Sequence, residues 1–237
     1  MQLADLLDRL RAELTAALAP PSCLACRTPL ADAHAELCVA CRRALPWLPE
    51  LRCARCGLPS PCGRGRRGGC PAAGAAFERA WAPLAHDGPA RQLVAALKFR
   101  GGTQVARLMA AQIAASAPRE LLDGVTLVPV PLHPARRRAR GFDQAALIAA
   151  ALASRRELPL ARCLERRGAA TRQLGSGRAA RREAAERQLL RVRGPAPARV
   201  LLVDDVHTTG ATLDACARAL RAAGSRQVAA VTWARAV

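Results

Sequence analysis

Apolar positions fall into three regimes along this chain. Near the start, Leu3, Leu6, Leu7, Leu10, Leu14 and Leu18 recur at helical spacing and predict an amphipathic helix over residues 1–20. Asp5, Asp8 and Glu13 interrupt that stretch, so it does not read as a secretory signal peptide. Its leucine stripe is expected to pack on the protein's own body. Between residues 21 and 75 the periodicity vanishes, and Cys, Pro, Gly and Arg take over. Beyond Phe77, strand-length apolar runs alternate with helical patterns. Strands are predicted at 80–85, 125–130, 200–203 and 228–233, and helices at 89–99, 104–116 and 142–153. Such alternation predicts an α/β domain over residues 76–237, built on a parallel sheet with both faces covered. No run approaches the ~18 apolar residues of a membrane-spanning helix, so no membrane insertion is expected.

The 200–203 strand leads into the most informative stretch, Val200 to Leu213, which reads VLLVDDVHTTGATL. An apolar strand ends on two adjacent carboxylates, Asp204 and Asp205. A turn of small and hydroxylated residues follows (Thr208, Thr209, Gly210, Ala211, Thr212), and then a helix with Leu213, Ala217 and Leu220 on one face. Turn N–H groups and the positive end of a helix dipole hold phosphate. Carboxylates at a strand's C-terminal edge accept hydrogen bonds from vicinal hydroxyls, and ligands of open α/β sheets bind at that edge. The pattern is that of a sugar-phosphate site. A P-loop does not fit, because Gly-x-x-x-x-Gly-Lys-Ser/Thr is absent and the acid pair precedes the turn. An ordinary βα unit is the bland alternative.

Two other segments belong to the same sheet edge. After the 125–130 strand, residues 131–144 carry Arg136, Arg137, Arg138, Arg140 and Gly141, suited to a second, cationic phosphate-binding loop. A run of Arg is by itself more often a solvated face; its place after a sheet strand favours the site. Residues 166–193 form a long basic connection that is expected to act as a lid, shielding an oxocarbenium-like state from water.

Eight of the ten cysteines lie between residues 23 and 70. Cys23-x-x-Cys26, Cys38-x-x-Cys41 and Cys53-x-x-Cys56 recur every 15 residues, followed by Cys62 and Cys70, so spacing alone leaves the grouping open. A Cys-x-x-Cys turn aims two thiolates at one point, and two turns complete a tetrahedral zinc site. The economical grouping is Cys23, Cys26, Cys38 and Cys41 in one site, and Cys53, Cys56, Cys62 and Cys70 in a second. Four Cys ligands leave no open position, which makes the zinc structural. A disulfide framework needs a secreted chain, and a redox role suits a single pair better than three in tandem. The segment is too poor in apolar residues to fold without metal. Cys163 and Cys216 are expected as packing residues.

A chain of 237 residues accommodates one α/β domain and a small appendage. Its formal charge of +19 is carried by 36 arginines and one lysine, Lys98, with no tyrosine at all. Base-composition bias explains Arg in place of Lys, but not the excess over acids; that excess points to an anionic partner, either a polyphosphate substrate or nucleic acid. A position that keeps Lys among so many Arg suits a compact point charge, although chance retention explains it equally well.

As a set, these motifs resemble the ComF family. Leu45-Pro46-Trp47, Leu97-Lys98-Phe99-Arg100-Gly101, Pro129-Val130-Pro131-Leu132, Arg140-Gly141-Phe142-Asp143-Gln144 and the 200–213 segment follow the Cys-x-x-Cys pairs in that family's order. The resemblance covers residues 20–237. It implies a type I phosphoribosyltransferase-like domain at 76–237, preceded by a zinc-binding domain at 21–75, in a cytoplasmic protein associated with natural competence and DNA uptake. It further implies binding of 5-phosphoribosyl 1-pyrophosphate (PRPP) with Mg²⁺, and pentosyl group transfer. Asp204 and Asp205 would hold the ribose hydroxyls, and Thr208, Thr209, Gly210, Ala211 and Thr212 the 5′-phosphate. Arg136, Arg140 and Lys98 would stabilise departing pyrophosphate. The alternative is a non-catalytic module that holds single-stranded DNA or competence machinery. Asp143 stands where the family has Asn, His86 where it commonly has Tyr, Ala184 and Ala185 near a usual Asn, and His207 where an apolar or hydroxyl residue is usual.

Overall fold

A computed structural model describes residues 21–63, 69–99, 102–166 and 190–237. The amphipathic segment 1–20 and most of the connection expected as a lid (167–189) lie outside the described residues. In chain order the elements are α1 (Val39–Arg43), β1 (Ala80–Trp81), β2 (Leu84–Ala85), α2 (Gly88–Phe99), α3 (Gly102–Ser116), α4 (Arg119–Leu122) and β3 (Thr126–Pro129). They continue with α5 (Pro134–Arg140), α6 (Gln144–Arg156), β4 (Leu164–Arg166), β5 (Leu190–Val192), β6 (Arg199–His207), α7 (Ala211–Ala222) and β7 (Gln227–Arg235). The main sheet has the order β1-β7-β6-β3, with β2 also pairing with β7, and every pairing is parallel. β4 and β5 form a separate antiparallel pair.

The period-two alternation of β6 decides what covers each face. Leu201 and Val203 join Leu93 and Leu97 of α2, Met109 and Ile113 of α3, and Ile148 and Leu152 of α6. Val200 and Leu202 face the other way, onto Leu213, Cys216 and Leu220 of α7. That second face has fewer helices, and the Cys-rich region makes up the difference: Cys56, Leu58 and Ala72 are buried in the same apolar cluster. The first half of the Cys-rich region, with Cys23, Ala25 and Leu45, packs on the α2–α3 side instead.

Both halves are built alike. The Cys23 N–H donates to the Thr28 carbonyl and the Arg27 N–H to the Cys23 carbonyl; the Cys53 N–H donates to Leu58 and the Gly57 N–H to Cys53 in the same way. Each turn passes through a left-handed residue, Arg27 (φ 69°) or Gly57 (φ 73°). The thiols fall into the economical grouping, Cys23, Cys26, Cys38 and Cys41 in one cluster and Cys53, Cys56, Cys62 and Cys70 in the other, each with its sulfurs within 4.8 Å of one another. The Cys26–Cys38 and Cys53–Cys70 sulfurs are 3.7 and 3.8 Å apart, close to the edge of a tetrahedron with Zn–S bonds of about 2.3 Å. The donor sets fit two structural zinc ions.

Three elements differ from expectation. The strand expected at 80–85 divides into β1 and β2 around Pro83, which has no N–H to give a ladder. β6 does not stop at Val203: Asp204, Val206 and His207 stay in register with Thr232, Ala234 and Arg235 of β7. The expected cationic loop at 131–144 contains the helix α5, which starts at Pro134 and ends on left-handed Gly141 (φ 77°).

Candidate functional site

The acid pair lies within β6, and both side chains line one cleft. Asp205 reaches α2, where Lys98 Nζ is 2.8 Å from its Oδ2; the two side chains are 27% and 12% exposed. Asp204 Oδ1 accepts the Asp205 N–H at 2.8 Å. Burial of the Asp204 carboxyl, and then the neighbouring charge of Asp205, push its pKa well above the usual carboxylate range. Backbone N–H donation from Asp205 and the charge of Lys98 oppose that rise.

Across from the pair, α5 contributes its cations by helical period. Arg136 and Arg140, four residues apart, share the face that lines a cleft of about 150 Å³ with Lys98, Asp204, Asp205 and Thr212. Arg137 and Arg138 are exposed and do not line it. His133 caps α5, with Nδ1 accepting the Ala135 N–H at 3.2 Å. Asp143 caps α6. Its Oδ1 accepts from Ala146 N (3.2 Å) and its Oδ2 from Leu132 N (3.1 Å), so the extra carboxylate is engaged in holding the turn between β3 and α6.

Beyond the acid pair the chain turns into α7. Gly210 is the helix cap at φ 84°, and Thr209 Oγ1 accepts the Ala211 N–H at 3.3 Å. Thr208 and Thr209 are exposed. Thr212 lines the main cleft, while Thr209, Gly210 and Ala211 line an adjoining cavity of about 300 Å³ whose far wall is Pro71, Ala72 and Gly74 of the Cys-rich region. His207 lies beneath this turn, 3% exposed, with its ring edge-on to Phe77 at 6.1 Å between centroids. Burial, then the charge of Arg235, lower its pKa to about 3, so it is a neutral packing residue.

Several residues of this site carry no local sequence signal. Arg235, only 4% exposed, donates through Nη1 to the carbonyls of His207 (2.8 Å), Thr208 and Ala236 (3.0 Å), and through Nε to that of Cys56 (3.1 Å). It fastens the turn after β6 to the second Cys cluster. Gln144, 4% exposed, lines the cleft with a buried Nε2 that has no hydrogen-bond partner. His86 lies near Lys98 and Asp205; burial, then Lys98 and Arg91, lower its pKa. Gln144 was legible as part of a motif block but not as a donor; Arg235 and His86 need the fold.

The double zinc ribbon domain family matches residues 14–75. The DNA utilization protein YhgH of Escherichia coli (strain K12) is 30% identical over 230 residues, covering 88% of this chain and 94% of that protein. Its counterpart in Salmonella typhimurium is 32% identical over 225 residues, with the same coverage. Among solved structures, a hypoxanthine phosphoribosyltransferase from Staphylococcus aureus aligns with 54% of this chain and 61% of its own, at 13% identity and a TM-score of 0.32, a likeness too slight to carry an inference. Among the described residues, no helix is long and apolar enough to cross a membrane.

Proposed function

Since the chain belongs to the ComF-like family of DNA utilization proteins, we propose that its cleft binds PRPP and supports pentosyl transfer. The observation that carries this reading is the cleft itself, with an acid pair in the C-terminal half of a central strand and a cationic set lining the same space of about 150 Å³. Asp204 and Asp205 accept the ribose hydroxyls. The turn from Thr208 to Thr212 at the head of α7 takes the 5′-phosphate through N–H and hydroxyl donors. Arg136 and Arg140 take the pyrophosphate, and the orphaned Nε2 of Gln144 supplies a donor that finds its acceptor in a ligand oxygen.

In the reaction the bond from the anomeric carbon to the pyrophosphate oxygen breaks, and its electron pair leaves on pyrophosphate. An acceptor nucleophile forms the new bond to that carbon. The chain's largest task is therefore to stabilise negative charge developing on the leaving group, for which Arg136, Arg140 and Lys98 are placed. Lys98 must exchange Asp205 for substrate as the ribose arrives, while Asp205 turns to a hydroxyl. The hard oxygens of Asp204 and Asp205 are donors that would meet a Mg²⁺ ion entering with the substrate, which would supply neutralising charge for the pyrophosphate.

Calorimetry with PRPP and Mg²⁺ tests the reading. Asp204→Ala and Asp205→Ala each remove a charge-assisted hydrogen bond worth about 1.5–3 kcal/mol, so affinity should fall roughly tenfold to over a hundredfold. Unchanged affinity in both variants refutes the ribose assignment. Pyrophosphate release, screened across acceptors, reports turnover. A second reading rests on the net charge of +19 and on the name carried by the relatives: the chain holds single-stranded DNA with or without turnover. Such binding should weaken steeply with salt, log affinity falling by about 0.7 per log unit of salt for each phosphate contacted. Salt-insensitive binding argues against it.

A further inference from the structure

We propose that Phe99 is a stacking platform for a nucleobase ring presented at the rim of the PRPP cleft, an inference that rests on the cleft reading above. The chain is poor in aromatics, and most of those it has are sequestered. Phe77, Trp81 and Trp233 are buried, Phe142 is half-buried, and Trp47 is 51% exposed. Phe99 is 73% exposed. It is the last residue of α2, directly after the lysine that pairs with Asp205, so the backbone that sets Lys98 in the cleft also sets the phenyl ring at its edge.

Its surroundings select a class of ligand. The Arg140 guanidinium lies over the ring, 5.5 Å from the centroid, and Arg140 also lines the cleft. The ring thus continues the cationic rim. Beside it opens a cavity of about 400 Å³ lined by Cys23, Leu24, Arg27, Ala96, Phe99 and Val105. That size lies within the range of small-ligand sites, about 300–1,000 Å³. A flat apolar wall flanked by two guanidinium groups suits a planar π-system that carries a phosphate. Aromatic and guanidinium planes are the surfaces on which unpaired bases stack, and they do so with little regard to sequence. The shared chemistry is a base joined to a phosphate, either free as a nucleotide or as part of a single strand.

The test uses the full chain and the variants Phe99→Leu, which keeps an apolar side chain without a π-face, and Phe99→Trp, which enlarges the face. Equal thermal midpoints establish that both fold. Binding is measured by fluorescence anisotropy for a labelled oligothymidylate of about twelve nucleotides and for an abasic oligonucleotide of the same length. A second arm uses calorimetry with AMP. Phe99→Leu should weaken binding of the base-bearing strand by roughly fivefold to over a hundredfold, leave the abasic strand unaffected, and be reversed by Phe99→Trp. A loss confined to AMP assigns the platform to free nucleotides. If both ligands bind wild type and Phe99→Leu alike, the proposal is overturned. PRPP binding by the wild-type chain, measured alongside, separates the two readings. Binding of PRPP with indifference to Phe99 removes the platform alone, whereas Phe99 dependence without PRPP binding removes the cleft assignment and leaves the platform standing.

Discussion

Replacing Gly210 by Ala tests the packing beneath the proposed phosphate turn. The residue sits at φ 84°, where an L side chain is strained by roughly 1–2 kcal/mol. A methyl group there would also meet His207 Nε2 at 2.7 Å, closer than real contacts of that kind. His207 cannot simply swing aside, because it is 3% exposed and set edge-on against Phe77. Overpacking of that sort costs about 1–3 kcal/mol, so the variant should lose about 2–5 kcal/mol in all. A double-mutant cycle divides the two causes. In a His207→Ala background the steric part should vanish and the backbone part remain, leaving a coupling of about 1–3 kcal/mol. Urea denaturation of the four proteins measures it. Additivity within about 0.5 kcal/mol would show that the imidazole does not support the turn.

Three further outcomes are expected. Arg235→Met should destabilise the protein by at least about 3 kcal/mol, since it leaves several buried carbonyls without their charged donor; Arg235→Lys should not rescue it, because an ammonium cannot reproduce the fork, and a Lys variant of wild-type stability in urea would refute this. Freshly purified reduced protein should contain two zinc ions by elemental analysis, and chelation should lower the melting temperature of the whole chain, because Cys56 and Leu58 are buried in the same cluster as α7. Finally, His207 binds protons less readily when folded (about 3) than at its ordinary value of about 6.5. The unfolded state therefore takes up more protons between those values, so His207's contribution is complete above pH ~6.5 and is lost as pH falls, at up to about 1.4 kcal/mol per pH unit. His207→Leu should flatten that part of the stability profile relative to wild type between pH 7 and pH 5; parallel profiles would contradict it.

Local patterns in the chain made much of the architecture legible. A run of β-branched and Leu residues could hardly be anything but a central strand, and Cys pairs on tight turns converge because their backbones leave them no alternative. Legibility failed where a residue's neighbours are distant in sequence. The pairing of β6 beyond Val203 depends on Thr232, Ala234 and Arg235, so an acid pair that looks like a strand's end lies inside one. Four arginines within five residues look equivalent until α5 forms; then helical period brings Arg136 and Arg140 to the cleft lining and leaves Arg137 and Arg138 outside it. His207 sits within the 200–213 motif, yet it is buried edge-on against Phe77, on the face opposite to the one that alternation from Leu201 and Val203 would give it. Asp143 stands where the resembled family has Asn, and only the fold places its carboxylate on two N–H groups.

The guanidinium of Arg235 bears on how such a protein is inherited. It comes from the far end of the chain and is shared between a carbonyl of the second Cys turn and carbonyls beside the proposed phosphate turn. Drawn along the sequence, the Cys-rich region and the α/β region look like separable cassettes. Joined at this group, they are not. Transplanting either piece would strand a buried cation or unroof a ligand turn, so a recombination event that preserved both halves individually would still yield a damaged product. Selection should therefore treat the two segments as one heritable unit, and drift in the turn around Cys56 is answerable to the turn that follows β6.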